Sequence, residues 1–279
     1  MKALELVEAL KKERRKGSTT LAETVLNIYR TLARESDNLS RDLPKYGELI
    51  ETARPSMPLV KRFSREVLQR ISSPSSEEVL KAVEDVEKTY RSKLNHLVEH
   101  AVDKLSGIGS VTTMSHSGTI INILSRLEGL RRVNVLESRP LREGVLMAAA
   151  LRNSCMVVVY VDAAVAYAVE RSDAVVVGAD ALYPDGSFSA KVGVKPLAAT
   201  AKLLGKPFHV AVDTWKLAEE FVNEMGPSTD VDEQMPAENP VFEKVPPDLI
   251  DFYLTDLGAL TPAMLVKRLP HTRKSRENH

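Results

Sequence analysis

The chain has 279 residues with 38 Lys or Arg against 38 Asp or Glu, so its formal net charge is zero and a surface built to neutralise nucleic-acid phosphates is not expected. Hydrophobic residues make up 43% of it, which supplies a packed core and excludes a disordered chain. No apolar run approaches the roughly 18 residues of a membrane span, and the N-terminus lacks the apolar stretch and small-residue cleavage site of a signal peptide. No membrane contact and a cytoplasmic location are therefore expected. A single cysteine, Cys155, excludes a disulfide framework and a thiolate metal cluster, and its place before an apolar run reads as core packing. Only two glutamines, Gln69 and Gln234, beside 27% charged residues point towards a thermophile.

The first hundred residues read as helices. Segments 2–14 and 18–35 form two of them, and the clearest covers 76–106. There Val79, Val83, Val86, Tyr90, Leu94, Leu97, Ala101 and Leu105 recur at steps of three and four. Ser75 and Glu78 have capping-box spacing at its start, and Gly107 suits its end. Beyond Gly107 the pattern changes. Short, largely β-branched runs at 111–114, 133–136, 156–161, 174–177, 208–212 and 252–254 alternate with helix-length segments rich in Ala and Leu. This alternation predicts an α/β domain of parallel βαβ units, the first five runs neighbouring strands of one sheet with helices on both faces. Several runs are continuously apolar, as strands buried on both sides are. The expected organisation is an N-terminal helical domain, 1–106, and a C-terminal α/β domain, 107–279. Five prolines (227, 236, 240, 246 and 247) make 226–247 a long irregular connection, and the tail 271–279 reads as frayed.

In an open parallel sheet the ligand lies beyond the carboxyl ends of the strands. Ser115-His116-Ser117-Gly118-Thr119 follows the first run, Glu137-Ser138-Arg139 the second, Asp162 the third, Gly178-Ala179-Asp180 the fourth, and Asp213 with Lys216 the fifth. Carboxylates, an arginine, a lysine and hydroxyls on one rim suit a small anionic ligand, although any single Asp or Ser there also serves as a helix cap. Ser117-Gly118-Thr119 opens a helix, where backbone N–H groups favour a phosphate. No Walker loop follows a strand, and Gly107-Ile108-Gly109 precedes its strand and lacks a third glycine, so ATP, NAD and any other cofactor are not expected. His96, Glu99 and His100 have the inverted zinc-protease spacing but lie in the long helix with no apparent acidic third ligand, so no metal is expected.

These residues resemble a known superfamily that contains the alpha, beta and delta subunits of translation initiation factor 2B, archaeal ribose-1,5-bisphosphate isomerase and methylthioribose-1-phosphate isomerase. Lys16-Gly17-Ser18-Thr19 resembles the family's N-terminal phosphate turn, usually Arg-Gly-Ala-Gly, and Arg54-Pro55 its following Arg-Pro segment. Glu137-Ser138-Arg139-Pro140 with Gly144, and Gly178-Ala179-Asp180-Ala181, match two specific signatures. Asn239-Pro240-Val241-Phe242-Glu243, Pro246, Ile250, Thr255-Asp256 and Gly258 match the C-terminal block. The resemblance implies a helical domain followed by a Rossmann-like domain without a dinucleotide, and a homodimer or higher homo-oligomer. It also implies catalysis by a cysteine and an aspartate, the latter falling on Asp180 at the end of an apolar strand, where desolvation favours the proton-donating form. Lys16, Gly17, Ser18, Thr19, Arg54, Ser117, Gly118, Thr119, Arg139, Ala190, Lys191 and Lys216 become the substrate- and phosphate-binding positions.

Two positions depart from the pattern. The family's Thr-His-Cys-Asn/His-Ser segment reads Thr113-Met114-Ser115-His116-Ser117, which puts Ser115 at the cysteine position, and the isomerases' Asn-Lys pair reads Ala190-Lys191. A thiol can be tuned to a thiolate near neutrality, whereas a hydroxyl needs a neighbouring base. The resemblance therefore favours a regulatory, initiation-factor-2B-like protein that binds a sugar phosphate or nucleoside monophosphate and takes initiation factor 2 subunits as partners. The alternative is an aldose-ketose isomerase of a 1-phosphorylated sugar that uses Asp180 and a different base.

Overall fold

The computed structural model describes residues 2–269; the expectation for 271–279 lies outside them. The chain divides into two compact units, Met1–Leu94 and Asn95–His279. The first holds α1 (Lys2–Lys12), α2 (Ser18–Glu35), α3 (Leu39–Ala53), α4 (Pro58–Arg70) and the start of α5 (Ser76–Lys104). Each helix buries one stripe: Leu21, Val25, Ile28 and Leu32 on α2, Leu43, Tyr46 and Ile50 on α3, Leu59, Phe63 and Val67 on α4. Asn38 caps α3 by accepting the Arg41 N–H at 3.1 Å, and Pro58 opens α4, where no N–H is needed. Half of the capping box expected on α5 forms. Ser75 Oγ accepts the Glu78 N–H at 3.3 Å, but the Glu78 carboxylate accepts from Ser72 Oγ at 2.8 Å, and the Ser75 N–H goes to the Ser73 carbonyl.

The second unit carries the sheet. Its elements follow in order as β1 (Ser110–Met114), α6 (Gly118–Leu124), β2 (Arg132–Leu136), α7 (Glu143–Leu151), β3 (Met156–Tyr160), α8 (Val165–Glu170), β4 (Ala174–Gly178), β5 (Ala181–Leu182), β6 (Phe188–Lys191), α9 (Val194–Leu203), β7 (Phe208–Ala211), β8 (Phe242–Val245), β9 (Phe252–Thr255), β10 (Gly258–Leu260) and α10 (Pro262–Arg268). The main sheet has the order β10-β9-β7-β4-β1-β2-β3, parallel except for β10. The six apolar runs are thus its six parallel strands. Two polar residues in its centre are satisfied from the end of α8. Thr112 Oγ1 donates to the Ala168 carbonyl at 3.0 Å and Asn134 Nδ2 to the same carbonyl at 2.9 Å, tying that helix end to β1 and β2.

Three features differ from the sequence reading. A second sheet, β5-β6-β8, is antiparallel. Its strand β8 lies inside 226–247, which is therefore not wholly irregular: Phe242 and Val245 turn inward, and the four residues pair with β6 rather than with a sequence neighbour. The run at 156–161 is the sheet's edge strand, with Met156 and Val159 exposed, so continuous apolarity there does not mean burial on both sides.

His209 lies buried within β7, its ring 6.1 Å from that of Phe252. Burial pushes its pKa from 6.5 down to about 4, with Asp251 pulling upward and Lys104 adding to the fall. The folded imidazole binds a proton less readily than the unfolded one. Its stabilising effect is therefore present above pH 6.5 and is lost as the pH falls towards 4. We predict that unfolding free energy drops across this window by about 3 kcal/mol more in the native protein than in His209→Gln, measured by urea titration at each pH.

Candidate active site

The loops at the carboxyl ends of β1 and β2 are held in an uncommon backbone state. Ser115 (φ 58°), Ser138 (φ 63°) and Arg142 (φ 59°) are the non-glycine residues with positive φ among the described residues, and all three lie here. Such residues cost on the order of 1–3 kcal/mol each and persist where surrounding contacts over-determine them. The contacts are explicit. The Ser115 N–H donates to Ser138 Oγ at 2.7 Å, and the Asp162 carboxylate accepts the Ser138 N–H at 2.8 Å and the Arg139 N–H at 2.7 Å. Asp162, foreseen at the rim, thus shapes the loop after β2.

Gly144 brings α7 down onto that loop. Its N–H donates to the Glu137 carbonyl at 3.1 Å, and a Cβ there would lie 1.9 Å from the Leu136 carbonyl oxygen, so no other residue fits. Glu143, the first residue of α7, is consequently buried, 3% exposed, with Oε1 2.8 Å from the Nζ of Lys191, itself buried at the end of β6. The second oxygen, Oε2, is buried with no hydrogen-bond partner. An unsatisfied buried acceptor costs about 1–3 kcal/mol. Half-buried His116 senses the same carboxylate. Burial lowers its pKa below 6.5, while the Glu143 charge acts to raise it.

Asp180 enters from β4. A Cβ on Gly178 would lie 2.9 Å from Ser117 Oγ, so the end of β4 and the loop after β1 touch. The Asp180 N–H donates to the Ser189 carbonyl at 2.8 Å, which joins this segment to β6. Buried Lys216 donates from Nζ to the Ala179 carbonyl at 2.8 Å, beside Asp180. Its turn is fixed from both sides: Asp213 accepts the Trp215 N–H at 3.0 Å, and Asp256 accepts the Thr214 N–H and Oγ1–H, each at 2.8 Å. A Cβ on Gly193, just past β6, would lie 3.0 Å from Met114 Cε, so the segment after Lys191 abuts the end of β1.

The fold therefore gathers Ser115, Ser117, Asp180, Lys191 and Lys216 around the carboxyl end of β1 and β4. Ser117 is also the cap of α6, accepting the Ile120 N–H at 3.3 Å, with Gly118 exposed and Thr119 buried behind it. Arg139 is exposed on the same loop, and Ala190 is buried in β6 opposite Glu243, whose Oε1 accepts the N–H groups of Gly193 and Lys195. The remaining positions belong to the first unit, where Lys16 and Arg54 meet at Glu13. Its carboxylate accepts the N–H groups of Arg14, Arg15 and Lys16, and its carbonyl accepts from the buried Arg54 guanidinium. Lys16 Nζ lies 3.8 Å from the Glu13 carboxylate, Gly17 caps α2, Ser18 is buried, and Thr19 Oγ1 is 3.5 Å from Tyr90 OH. Sequence reasoning missed Glu143. Its signal was its position directly before the one glycine that the helix start requires.

A parallel sheet whose rim presents a carboxylate, two buried lysines and several hydroxyls, preceded by a helical region, defines a Rossmann-like α/β protein without a dinucleotide fingerprint. Residues 7–262 match the Initiation factor 2 subunit family, and the chain belongs to it. It is 29% identical over 258 residues to the ribose 1,5-bisphosphate isomerase of Archaeoglobus fulgidus, covering 87% of this chain and 76% of the relative. Its fold is that of the translation initiation factor eIF-2B of Pyrococcus horikoshii OT3, with a TM-score of 0.84 at 22% identity over 95% of this chain and 98% of that one. The 5-methylthioribose 1-phosphate isomerase of the same organism shares it, with a TM-score of 0.80 at 18% identity over 94% and 85%. No helix among the described residues is long and apolar enough to cross a membrane.

Removing one member of the buried pair strands the other. Lys191→Met should cost about 3–5 kcal/mol in urea unfolding by leaving the Glu143 carboxylate uncompensated, and Lys191→Met with Glu143→Leu should regain most of it.

Proposed function

We propose that this chain is an aldose-ketose isomerase of a 1-phosphorylated sugar, of the ribose 1,5-bisphosphate class. The observation that carries the reading is the rim around β1 and β4. Asp180, Lys191 and Lys216 are the positions to which the resemblance assigns proton handling and substrate contact; Asp180 follows β4, Lys191 ends β6, and Lys216 Nζ reaches the Ala179 carbonyl next to Asp180. The likeness to the Archaeoglobus fulgidus isomerase over most of the chain supports it. Taken alone, Ser115 in place of cysteine favours a regulatory factor subunit; the name borne by this relative weighs towards the isomerase.

In this reading Asp180 is the acid that opens the sugar ring, Lys191 and Lys216 hold substrate oxygens, and Ser117, Gly118, Thr119 and Arg139 bind phosphate or hydroxyl groups. Lys16, Gly17, Ser18, Thr19 and Arg54 are the further phosphate-binding positions. Ala190 leaves one polar contact unmade. A homodimer or larger homo-oligomer belongs to the same reading, supported by the exposed apolar side chains Met156 and Val159 on edge strand β3.

The test is ketose formation by the unmodified protein from ribose 1,5-bisphosphate, with other 1-phosphorylated sugars as comparators. Asp180→Asn should lower kcat by about 10²–10⁴-fold, the usual contribution of a positioned acid or base, while Ser115→Ala should change turnover little. A protein that binds a sugar phosphate or nucleoside monophosphate tightly yet turns over none of these sugars would instead restore the regulatory reading, with initiation factor 2 subunits as its partners.

A further inference from the structure

An isomerase with serine at the thiol position lacks a base, because an un-ionised hydroxyl accepts no proton from carbon without help. Next to Ser115 in the chain is an imidazole, the side chain that most often serves as a general base. His116 follows Ser115 directly and is half-buried, and the residues on either side of it are held in place. Ser115 is held through its N–H by Ser138 Oγ at 2.7 Å, and Ser117 caps α6 against Gly178. The loop that carries His116 leaves β1 beside the end of β2, on which α7 is seated, and there Glu143 is buried and anchored through Oε1 to Lys191 at 2.8 Å, with Oε2 buried and without a hydrogen-bond partner. That oxygen is an acceptor inside a packed site, and an imidazole that has taken up a proton carries two N–H donors.

Resting on the isomerase reading, we propose that His116 is the general base of this site and that Glu143, pinned by Lys191, is the positioning carboxylate that receives the imidazolium it becomes. A nitrogen of His116 takes the proton from C2 of the sugar. The C2–H pair forms the C1=C2 bond, the bond from C1 to the ring oxygen breaks, and protonated Asp180 delivers its proton to that oxygen. The product is a ring-opened enol with its phosphate still on C1. The imidazolium then returns its proton to C1. The 2-hydroxyl gives its proton to the Asp180 carboxylate as the C2 carbonyl forms, and both side chains end as they began. Burial lowers the His116 pKa, which favours the neutral form a base needs, and the Glu143 charge opposes that fall. Other charged groups of the rim are Lys191, paired to Glu143, Asp162, committed to the loop after β2, Glu137 and Arg142, paired to each other, exposed Arg139, Asp213, which caps the turn of Lys216, Glu243, which accepts the Gly193 N–H, and Asp180 with Lys216 beside it.

The closing experiment measures kcat, KM and their pH profiles on ribose 1,5-bisphosphate, together with exchange of the C2 proton with solvent deuterium. His116→Gln should lower kcat by about 100-fold or more, leave KM nearly unchanged, and slow C2 exchange in step. Glu143→Gln keeps an oxygen for Lys191 but loses the charge that raises the imidazole's basicity, so the acidic limb of the kcat/KM profile should move to lower pH. Should that variant fail to fold, Glu143→Asp, which withdraws the charge by one methylene, should move the limb the same way by less. If the unmodified protein isomerises the sugar and His116→Gln does so equally well, the assignment of His116 is overturned and the isomerase reading stands. An acidic limb that does not move on either Glu143 substitution overturns the role of Glu143. No turnover of any 1-phosphorylated sugar by the unmodified protein overturns the isomerase reading, and this inference with it.

Discussion

A side chain at position 144 would drive its Cβ to 1.9 Å from the Leu136 carbonyl oxygen, and the rim of the sheet is arranged around that prohibition. Because only glycine fits, α7 starts flush against the end of β2. Glu143 is thereby carried out of solvent and set against Lys191, although the two are far apart in the chain. The left-handed backbone of Ser138 and Arg142 is the other half of the same turn, and the Asp162 carboxylate holds it by accepting two successive N–H groups. Loosening this corner would release Ser115 as well, since its N–H is tied to Ser138 Oγ.

The polar groups of the rim are mostly engaged with the protein itself. Lys191 meets a carboxylate, Lys216 a backbone carbonyl, Asp162 two backbone N–H groups, and Asp213 and Asp256 clamp the turn that carries Lys216. Such preorganisation lets charge develop in a reaction without rearranging the dipoles that meet it, which is how polar sites lower barriers. Beside groups so engaged, Glu143 Oε1 meets Lys191 while Oε2 is buried without a hydrogen-bond partner, an acceptor capacity that the protein itself leaves unused.

The main sheet was legible from residue pattern because its strands are short, β-branched and separated by helix-length segments, so each run announced itself locally. The long helix was legible for the same reason. The small sheet was not. β5 has two residues, and β8 four residues between prolines, so neither carries enough alternation to stand out, and they become strands only by pairing with β6. The edge position of β3 was equally hidden, because an apolar run reads the same whether one partner strand or two lie beside it.

The sequence by itself determined the fold class, the family and the residues bound for the strand ends: Ser115, Ser117, Asp180 and Lys216 each stand within four residues of the end of an apolar run, and Lys191 stands in a family motif. It also determined the puzzle of the site, a serine where a thiol is expected. Tertiary structure alone decided which charges meet. Glu143 and Lys191 are 48 residues apart, and their encounter depends on the close seat of α7 on β2 and on the register of β6, neither of which a local pattern encodes. Electrostatic pairing is a property of distance and burial, and both arise only when separate segments are packed against one another.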